Sequence, residues 1–318
     1  MSEQWSYSVT NNELEELFRL YCTDFTTLAK QGRYGPITGR DKEVDETILI
    51  LMQKGRKNAV LLAPAGVGKT AMVVALAQKI AADDVPDYLL DARVIEIDMA
   101  RMAAGTNSPA EFQERFIPIC KGVAERYHNP ENPRIILFMD EIHQIMPGCV
   151  GSSYAGLSDV MKPYLTAGDL MVIGATTLDE FRMYIAEDAA LERRFQKVFL
   201  SVPNTAETYA ILKALRPSHE KHHGVTISNN NLMTIVQLTD EHMRKRNQPD
   251  KSIITMDSAM AYHVKTYGRN SEVTLDSIYY MIGRETGLNK QALHDEKKIQ
   301  RIMKQVREIE GEGYTYYI

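Results

Sequence analysis

The amino-acid sequence predicts an α/β fold: a parallel sheet with helices on both faces, followed by a small helical domain. Three observations lead there. Short apolar runs alternate with helical patterns from about residue 42 to residue 203. A glycine-rich turn ending in Gly68-Lys69-Thr70 stands between the first apolar run and the first long helical pattern. Beyond Pro203 no strand of similar strength returns, and helical spacing dominates to about residue 310. Alternation of this kind calls for parallel strands joined by crossover helices.

The elements follow in order. Residues 1–34 read as an N-terminal helical arm, because Leu14, Leu17, Phe18, Tyr21, Phe25 and Leu28 recur at helical spacing, so the arm should pack on something. Gly32, Gly35 and Pro36 then punctuate the chain. The α/β domain is expected over 35–203, with strands at 59–62, 93–97, 135–139, 170–175 and 197–200 and helices at 69–82 and 111–127. The run Ile135 to Met139 is apolar at every position, which suits a strand covered on both faces. A helical domain over 204–285 and a C-terminal helix with an aromatic tail over 286–318 complete the expectation.

Composition narrows the class. With 318 residues, 44% hydrophobic and 25% charged, the chain can bury a sizeable core as an ordinary globular protein. A formal net charge of −5 argues against nucleic acid as the default partner. Cys22, Cys120 and Cys149 are odd in number and far apart, which argues against a disulfide framework or a zinc site and fits a reducing compartment. The start at Met1-Ser2-Glu3-Gln4-Trp5 lacks the features of a signal peptide, and no apolar stretch is long enough to span a bilayer. A cytoplasmic protein without a membrane span is expected.

The chemistry-bearing residues begin at Ala63-Pro64-Ala65-Gly66-Val67-Gly68-Lys69-Thr70. Gly66 and Gly68 let the loop Pro64, Ala65, Gly66, Val67 and Gly68, which carries a backbone N–H at every residue but Pro64, approach phosphate oxygens, and the helix that follows points its positive end at them. Lys69 reaches the β- and γ-phosphates of a nucleotide, and Thr70 offers a hydroxyl to magnesium. The usual pattern has glycine at the first position, where this chain has Ala63. After the buried strand comes Asp140-Glu141. In phosphate-loop ATPases the first acid holds magnesium and the second polarises the attacking water. Gly174-Ala175-Thr176-Thr177 puts hydroxyls at the end of the next strand, and Leu191-Glu192-Arg193-Arg194-Phe195 carries two adjacent arginines.

Taken together, these pieces resemble the first ATPase module of the Clp family, the ring-forming AAA+ unfoldases and disaggregases, over about residues 26 to 310. Gly39-Arg40-Asp41 is similar to the family's opening motif, and Pro249-Asp250-Lys251 to its lid motif. The resemblance implies an AAA+ sheet with a helical lid, ATP and Mg2+ as ligands, and hydrolysis of ATP. It further implies that Ile37, Thr38 and Ile253 line the adenine pocket, that Thr177 is the first sensor, and that Arg193 and Arg194 are paired arginine fingers reaching a neighbouring subunit in a ring, expected to be a hexamer.

Three departures bear on function. Neither the flanking N-terminal domain nor the second ATPase module of full-length family members is expected within these residues, and the coiled middle insertion is expected to be absent or vestigial. At Asn107-Ser108-Pro109-Ala110 the family has Lys-Tyr-Arg-Gly, whose tyrosine grips polypeptide in the axial pore; Ser108 offers neither the bulk nor the ring area. The ending Tyr316-Tyr317-Ile318 reads as a plain aromatic tail. His219, His222 and His223 read as a solvated helix end, His143 as a structural residue, and Arg244-Lys245-Arg246 as a solvated helix face. The functional expectation is an ATPase that remodels an unidentified protein partner as a ring oligomer. The alternative is a non-threading switch or assembly factor that scaffolds a dedicated partner complex.

Overall fold

A computed structural model describes residues 8–106, 108–149 and 154–311. The described chain falls into two compact units. The first holds the chain up to Tyr34, Asp41–Ala63 and Lys69–Leu200; the second holds Gly35–Arg40, Pro64–Gly68 and the chain from Ser201 onward.

The first unit begins with α1 (Asn11–Tyr21), started by a capping box in which the Thr10 hydroxyl accepts from the Glu13 N–H and the Glu13 carboxylate accepts from the Thr10 N–H. It runs directly into β1 (Cys22–Asp24) and α2 (Phe25–Lys30). Then come α3 (Asp41–Leu51), β2 (Asn58–Leu62), α4 (Lys69–Ala81), β3 (Arg93–Ile97), α5 (Met99–Ala103) and α6 (Pro109–Tyr127). The unit closes with β4 (Ile135–Met139), α7 (Leu157–Ala167), β5 (Met171–Thr176), α8 (Leu178–Glu180), α9 (Ala189–Glu192) and β6 (Phe195–Phe199).

Among the described residues the strands form one six-stranded sheet in the order β1-β3-β4-β5-β2-β6. All pairs are parallel except β1 with β3, which is antiparallel with Cys22 opposite Ile97. Every residue of β2, β4 and β5 is buried, as strands covered on both faces require.

The structure differs from expectation at the N-terminal segment. Residues 8–34 are part of the α/β unit rather than an appended arm. Leu14, Phe18 and Cys22 lie in its core, and Arg93 on β3 pairs with both Asp24 and Glu15. A three-residue strand is too short to show a period of two, and it sits between two helical stretches, so the pattern hid it.

The second unit contains α10 (Thr205–His223), α11 (Asn229–His242), α12 (Asp250–Tyr267), α13 (Leu275–Thr286), α14 (Lys290–Leu293) and α15 (Glu296–Gly311). Its core joins Tyr209 and Leu212 of α10, Leu232 and Ile235 of α11, Met256 of α12 and Ile278 of α13. Ile302 and Val306 of α15 lie in the same core, so the segment expected as a separate C-terminal helix is integral to this unit as far as Gly311. The Tyr316-Tyr317-Ile318 tail lies outside the described residues. Among the described residues no helix is long and apolar enough to cross a membrane.

Candidate nucleotide site

In the first unit the site is built at the carboxyl ends of β2, β4 and β5, where open α/β sheets bind ligands. Lys69 opens α4 and is buried; its ammonium donates to the carbonyl of Ala63 at 3.3 Å. The Thr70 hydroxyl donates to Asp140 Oδ2 at 3.1 Å, bringing together the two residues that the sequence nominated for magnesium. A hydroxyl and a carboxylate at this separation present hard oxygen donors of the kind Mg2+ takes.

Glu141 follows with φ 50° and ψ 45°, a left-handed backbone, and opens the 3-10 turn Ile142–Ile145. Its N–H donates to Asp140 Oδ1 at 3.0 Å. Burial pushes the Glu141 carboxyl up; Lys69 opposes this, and Glu180 and Asp140 add to it. The turn presses on β5 at Gly174, where a Cβ would meet Ile142 Cδ1 at 2.6 Å. That close approach explains a glycine in a buried strand and sets His143 beside Thr176, with Nδ1 3.0 Å from the Thr176 hydroxyl.

Thr177 caps α8 in a capping box with Glu180: its hydroxyl donates to Glu180 Oε2 at 2.8 Å and accepts from the Glu180 N–H. Thr176 also donates to Glu180 Oε2, at 2.9 Å. Burial alone would raise Glu180, but the Thr177 N–H and both hydroxyls outweigh it and hold the carboxyl below its ordinary value. Sequence reasoning found Thr177, but not that Glu180 and His143 join it through Thr176. Glu141, His143 and Glu180 offer ligand atoms within 4.8 Å of one another.

Arg193 and Arg194 do not join this group. They end α9 and precede β6, whose first residue Phe195 lies opposite Asn58 at the start of β2. The Asn58 side chain donates to the Arg194 carbonyl at 3.4 Å. Lys69 and Thr70 follow the other end of β2. Five strand residues span roughly 16 Å, beyond the reach of an arginine side chain from one end to the other. With Arg56 and Glu192 the two arginines line a surface hollow.

In the second unit, Arg40 is buried and donates to the carbonyls of Val67 (2.9 Å) and Ser201 (3.1 Å), so the arginine of Gly39-Arg40-Asp41 braces the loop 64–68. Gly66 and Gly68 have φ 77° and 103°, and a Cβ on Gly66 would lie 2.9 Å from Asp250 Cβ. Among the described residues the non-glycine residues with positive φ are Asp83, Asp91, Glu141 and Asn270, so alanine at position 63 carries no left-handed strain. Asn247 donates to the Ala65 carbonyl at 3.0 Å, a contact with no sequence signal. Pro64 and Ala65 are exposed; Ile37, Thr38 and Ile253 are half-buried. The Thr38 hydroxyl oxygen is buried with no hydrogen-bond partner, and Ile253 packs against the helical core. A buried hydroxyl without a partner fits a polar ligand better than an apolar one.

Ser108, at the position of the family's pore tyrosine, is the N-cap of α6, with Pro109 in the first turn and the Glu111 N–H donating to its hydroxyl at 3.3 Å. Asn107 lies outside the described residues. His223 pairs with Asp257 of α12 at 2.8 Å, so it ties two helices together and is not simply part of a solvated helix end, whereas His219 bonds the Leu215 carbonyl one turn back in α10.

A strand–loop–helix phosphate cradle, an acid pair after a buried strand and a following helical unit define a phosphate-loop nucleotide-binding protein. Comparison with known proteins narrows the class. Residues 59–202 match the ATPase family associated with various cellular activities (AAA), and residues 204–310 match the AAA lid domain. The chain belongs to this family as an AAA domain followed by its lid, and it is homologous to the Clp-type AAA+ chaperones over most of its length. It is 43% identical over 241 residues to the chaperone protein ClpB 1 of Thermosynechococcus vestitus, covering 76% of this chain and 27% of that protein. It is 37% identical over 307 residues to ClpB of Mycobacterium bovis, covering 94% of this chain and 35% of that one. Among solved structures it is similar to Hsp104 of S. cerevisiae in a casein complex, with a TM-score of 0.76, 32% identity, and coverage of 92% of this chain and 52% of Hsp104. It is also similar to the Hsp104–ADP complex, with a TM-score of 0.77, 29% identity, and coverage of 94% and 53%. The chain therefore spans about a third or less of the curated relatives and about half of the Hsp104 chains.

Proposed function

We propose that the protein hydrolyses ATP and, as a ring oligomer, uses that hydrolysis to remodel a protein partner. The observation that carries the hydrolytic reading is the Thr70–Asp140 contact at 3.1 Å with Glu141 next in the chain. Backbone N–H groups of 65–68 and the Lys69 ammonium bind the phosphates. Thr70 and Asp140 would hold Mg2+, which would supply positive charge to offset that of the phosphate oxygens. Glu141 takes the proton of the attacking water; burial raises its basicity above that of an exposed glutamate. Thr38 and Ile37 receive the base, with Ile253 of the lid nearby.

The separation of Arg193 and Arg194 from Lys69 along β2 supports the oligomer. An arginine that cannot reach its own γ-phosphate serves catalysis only from a neighbour, and a ring gives each subunit one, six in a Clp-type hexamer. Hsp104, the relative solved with casein, suggests a polypeptide as the object of the work.

A second reading has its own observation. Ser108 caps a helix where the family places its gripping tyrosine. A non-threading switch, which assembles on a dedicated partner and leaves it after hydrolysis, fits that residue better than a threading motor. The deciding experiment for the ATPase pairs two variants. Lys69→Ala loses nucleotide binding in a fluorescent-ATP titration, because phosphate charge goes uncompensated. Glu141→Gln binds ATP like the parent and turns it over at least about a hundredfold more slowly. Wild-type turnover by Glu141→Gln removes Glu141 as the base.

A further inference from the structure

Beside Glu141 stands a side chain that the nucleotide chemistry above does not use. The His143 ring is buried and stacks on Tyr184, with centroids 5.8 Å apart and planes at 21°. Its Nδ1 lies 3.0 Å from the Thr176 hydroxyl and 3.4 Å from one oxygen each of Glu141 and Glu180. The Thr176 hydroxyl donates its hydrogen to Glu180 Oε2 at 2.9 Å. Its oxygen is left to accept, which assigns the ring proton to Nδ1. An Nδ1–H is a donor and not a metal ligand, so this tautomer opposes a cation among Glu141, His143 and Glu180. What the groups form instead is one N–H that donates to the Thr176 oxygen, with a carboxylate oxygen of Glu141 and one of Glu180 each 3.4 Å from the nitrogen.

The two carboxylates are not equivalent. Glu180 Oε2 already accepts from the Thr177 N–H (3.0 Å), the Thr177 hydroxyl (2.8 Å) and Thr176, and cannot swing away without uncapping α8. Glu141 has a side chain 42% exposed, and among the described residues its carboxylate has no nearer polar partner than His143. The histidine is itself pinned from behind by Thr176, Glu180 and Tyr184, so it is the fixed member and Glu141 the adjustable one.

We propose that His143 is a positioning residue for hydrolysis: its Nδ1–H, donated to Thr176, also stands 3.4 Å from one carboxylate oxygen of Glu141 and draws that oxygen to its side, which leaves the other to face the attacking water. This rests on the reading of Glu141 as the base. Removing the N–H lets the carboxylate rotate and slows the chemical step, while the phosphate cradle that sets ATP affinity is untouched.

Two substitutions in the full chain separate positioning from packing. In His143→Asn the side-chain amide N–H takes the place of Nδ1–H, but the ring against Tyr184 is lost. In His143→Phe a ring remains against Tyr184, but the N–H is lost. The expected result is a His143→Asn protein with kcat within about threefold of the parent, and a His143→Phe protein at least about tenfold slower with unchanged KM and unchanged fluorescent-ATP binding. Adding His143→Phe to Glu141→Gln should slow turnover no further, because the histidine acts only through that carboxylate. The proposal is overturned if His143→Phe is as fast as the parent, if His143→Asn is as slow as His143→Phe, or if the loss lies in KM. It also falls if the double variant is slower than Glu141→Gln alone. A Glu141→Gln protein with wild-type turnover would instead strike the base reading, and the positioning role with it.

Discussion

Arg193 Nε donates to the carbonyl of Ala189 at 2.8 Å, which folds the guanidinium stem back along the last turn of α9. Arg194, next in the chain, is half-buried and hands its carbonyl to Asn58. Two adjacent arginines that look equivalent in sequence are thus held differently, both at the end of β2 remote from Lys69.

The placement of the arginine pair makes activity depend on assembly. Arg193→Ala and Arg194→Ala are expected to bind ATP normally and to hydrolyse it at least about tenfold more slowly. Mixing either with Glu141→Gln should restore part of the lost rate, since an intact base in one subunit meets an intact arginine from the next. A protein that light scattering finds monomeric in saturating ATP, yet fully active, contradicts the finger assignment.

Ser108 separates threading from switching. Burying a tyrosine-sized side chain against a passing chain supplies roughly 1.5–3 kcal/mol, most of which serine forfeits. The wild-type protein is expected to hydrolyse ATP without unfolding a stable fluorescent substrate. Ser108→Tyr is not a clean gain, because it also deletes the N-cap of α6 at a cost of about 1 kcal/mol, visible as a lower denaturation midpoint. Robust unfolding by the wild-type protein returns it to the threading class.

Asp188 predicts a pH-dependent stability. Its Oδ1 accepts from the N–H groups of Ala190 (3.1 Å) and Leu191 (3.2 Å), and its Oδ2 pairs with Lys162 at 2.6 Å. Burial opposes the ionised form, but the Lys162 pair and the two N–H groups hold the carboxyl below the usual aspartate range. A folded pKa below the unfolded one means a contribution fully present at neutral pH and lost as pH falls through the acid range below about 4. In denaturant melts Asp188→Ala should be about 1 kcal/mol less stable at neutral pH, with the gap closing toward that acid range. A gap that stays constant with pH would assign the loss to packing.

Gly66 is expected to tolerate no side chain. Its φ of 77° disfavours any L-residue, and an added Cβ would sit 2.9 Å from Asp250 Cβ. Gly66→Ala should lose ATP affinity by about tenfold or more while the protein still folds, since the strain falls on a surface loop. Isothermal titration with ATP and a thermal melt read the two effects separately; unchanged affinity would show that the loop yields.

Much of the site was legible because its signals are local. The loop 64–70, Asp140-Glu141 and the arginine pair are each contiguous, and each borders an apolar run whose strand character needs no partner to be seen. β1 was not legible: three residues carry no period, and its pairing with β3 depends on a segment some seventy positions away. Asn247 and Arg40 were equally silent, since one asparagine against a carbonyl and one arginine bracing a loop have no spacing rule.

The sequence by itself determined the inventory and its order: a phosphate loop, two acids, a hydroxyl pair and two arginines, in an α/β half followed by helices. Those features depend on neighbours along the chain, which covalent geometry and periodicity expose. Only the tertiary structure decided what meets what. The sheet order puts β4 beside β5, so His143 meets Thr176 across 33 positions, and Gly174 lets the turn come close enough. The parallel register of β2 with β6 sends the arginines to the opposite end from the lysine. Ser108, a missing tyrosine in sequence, became a helix cap once α6 was seen to start there. Contacts of this kind arise from packing between elements distant in sequence, and no local pattern encodes them.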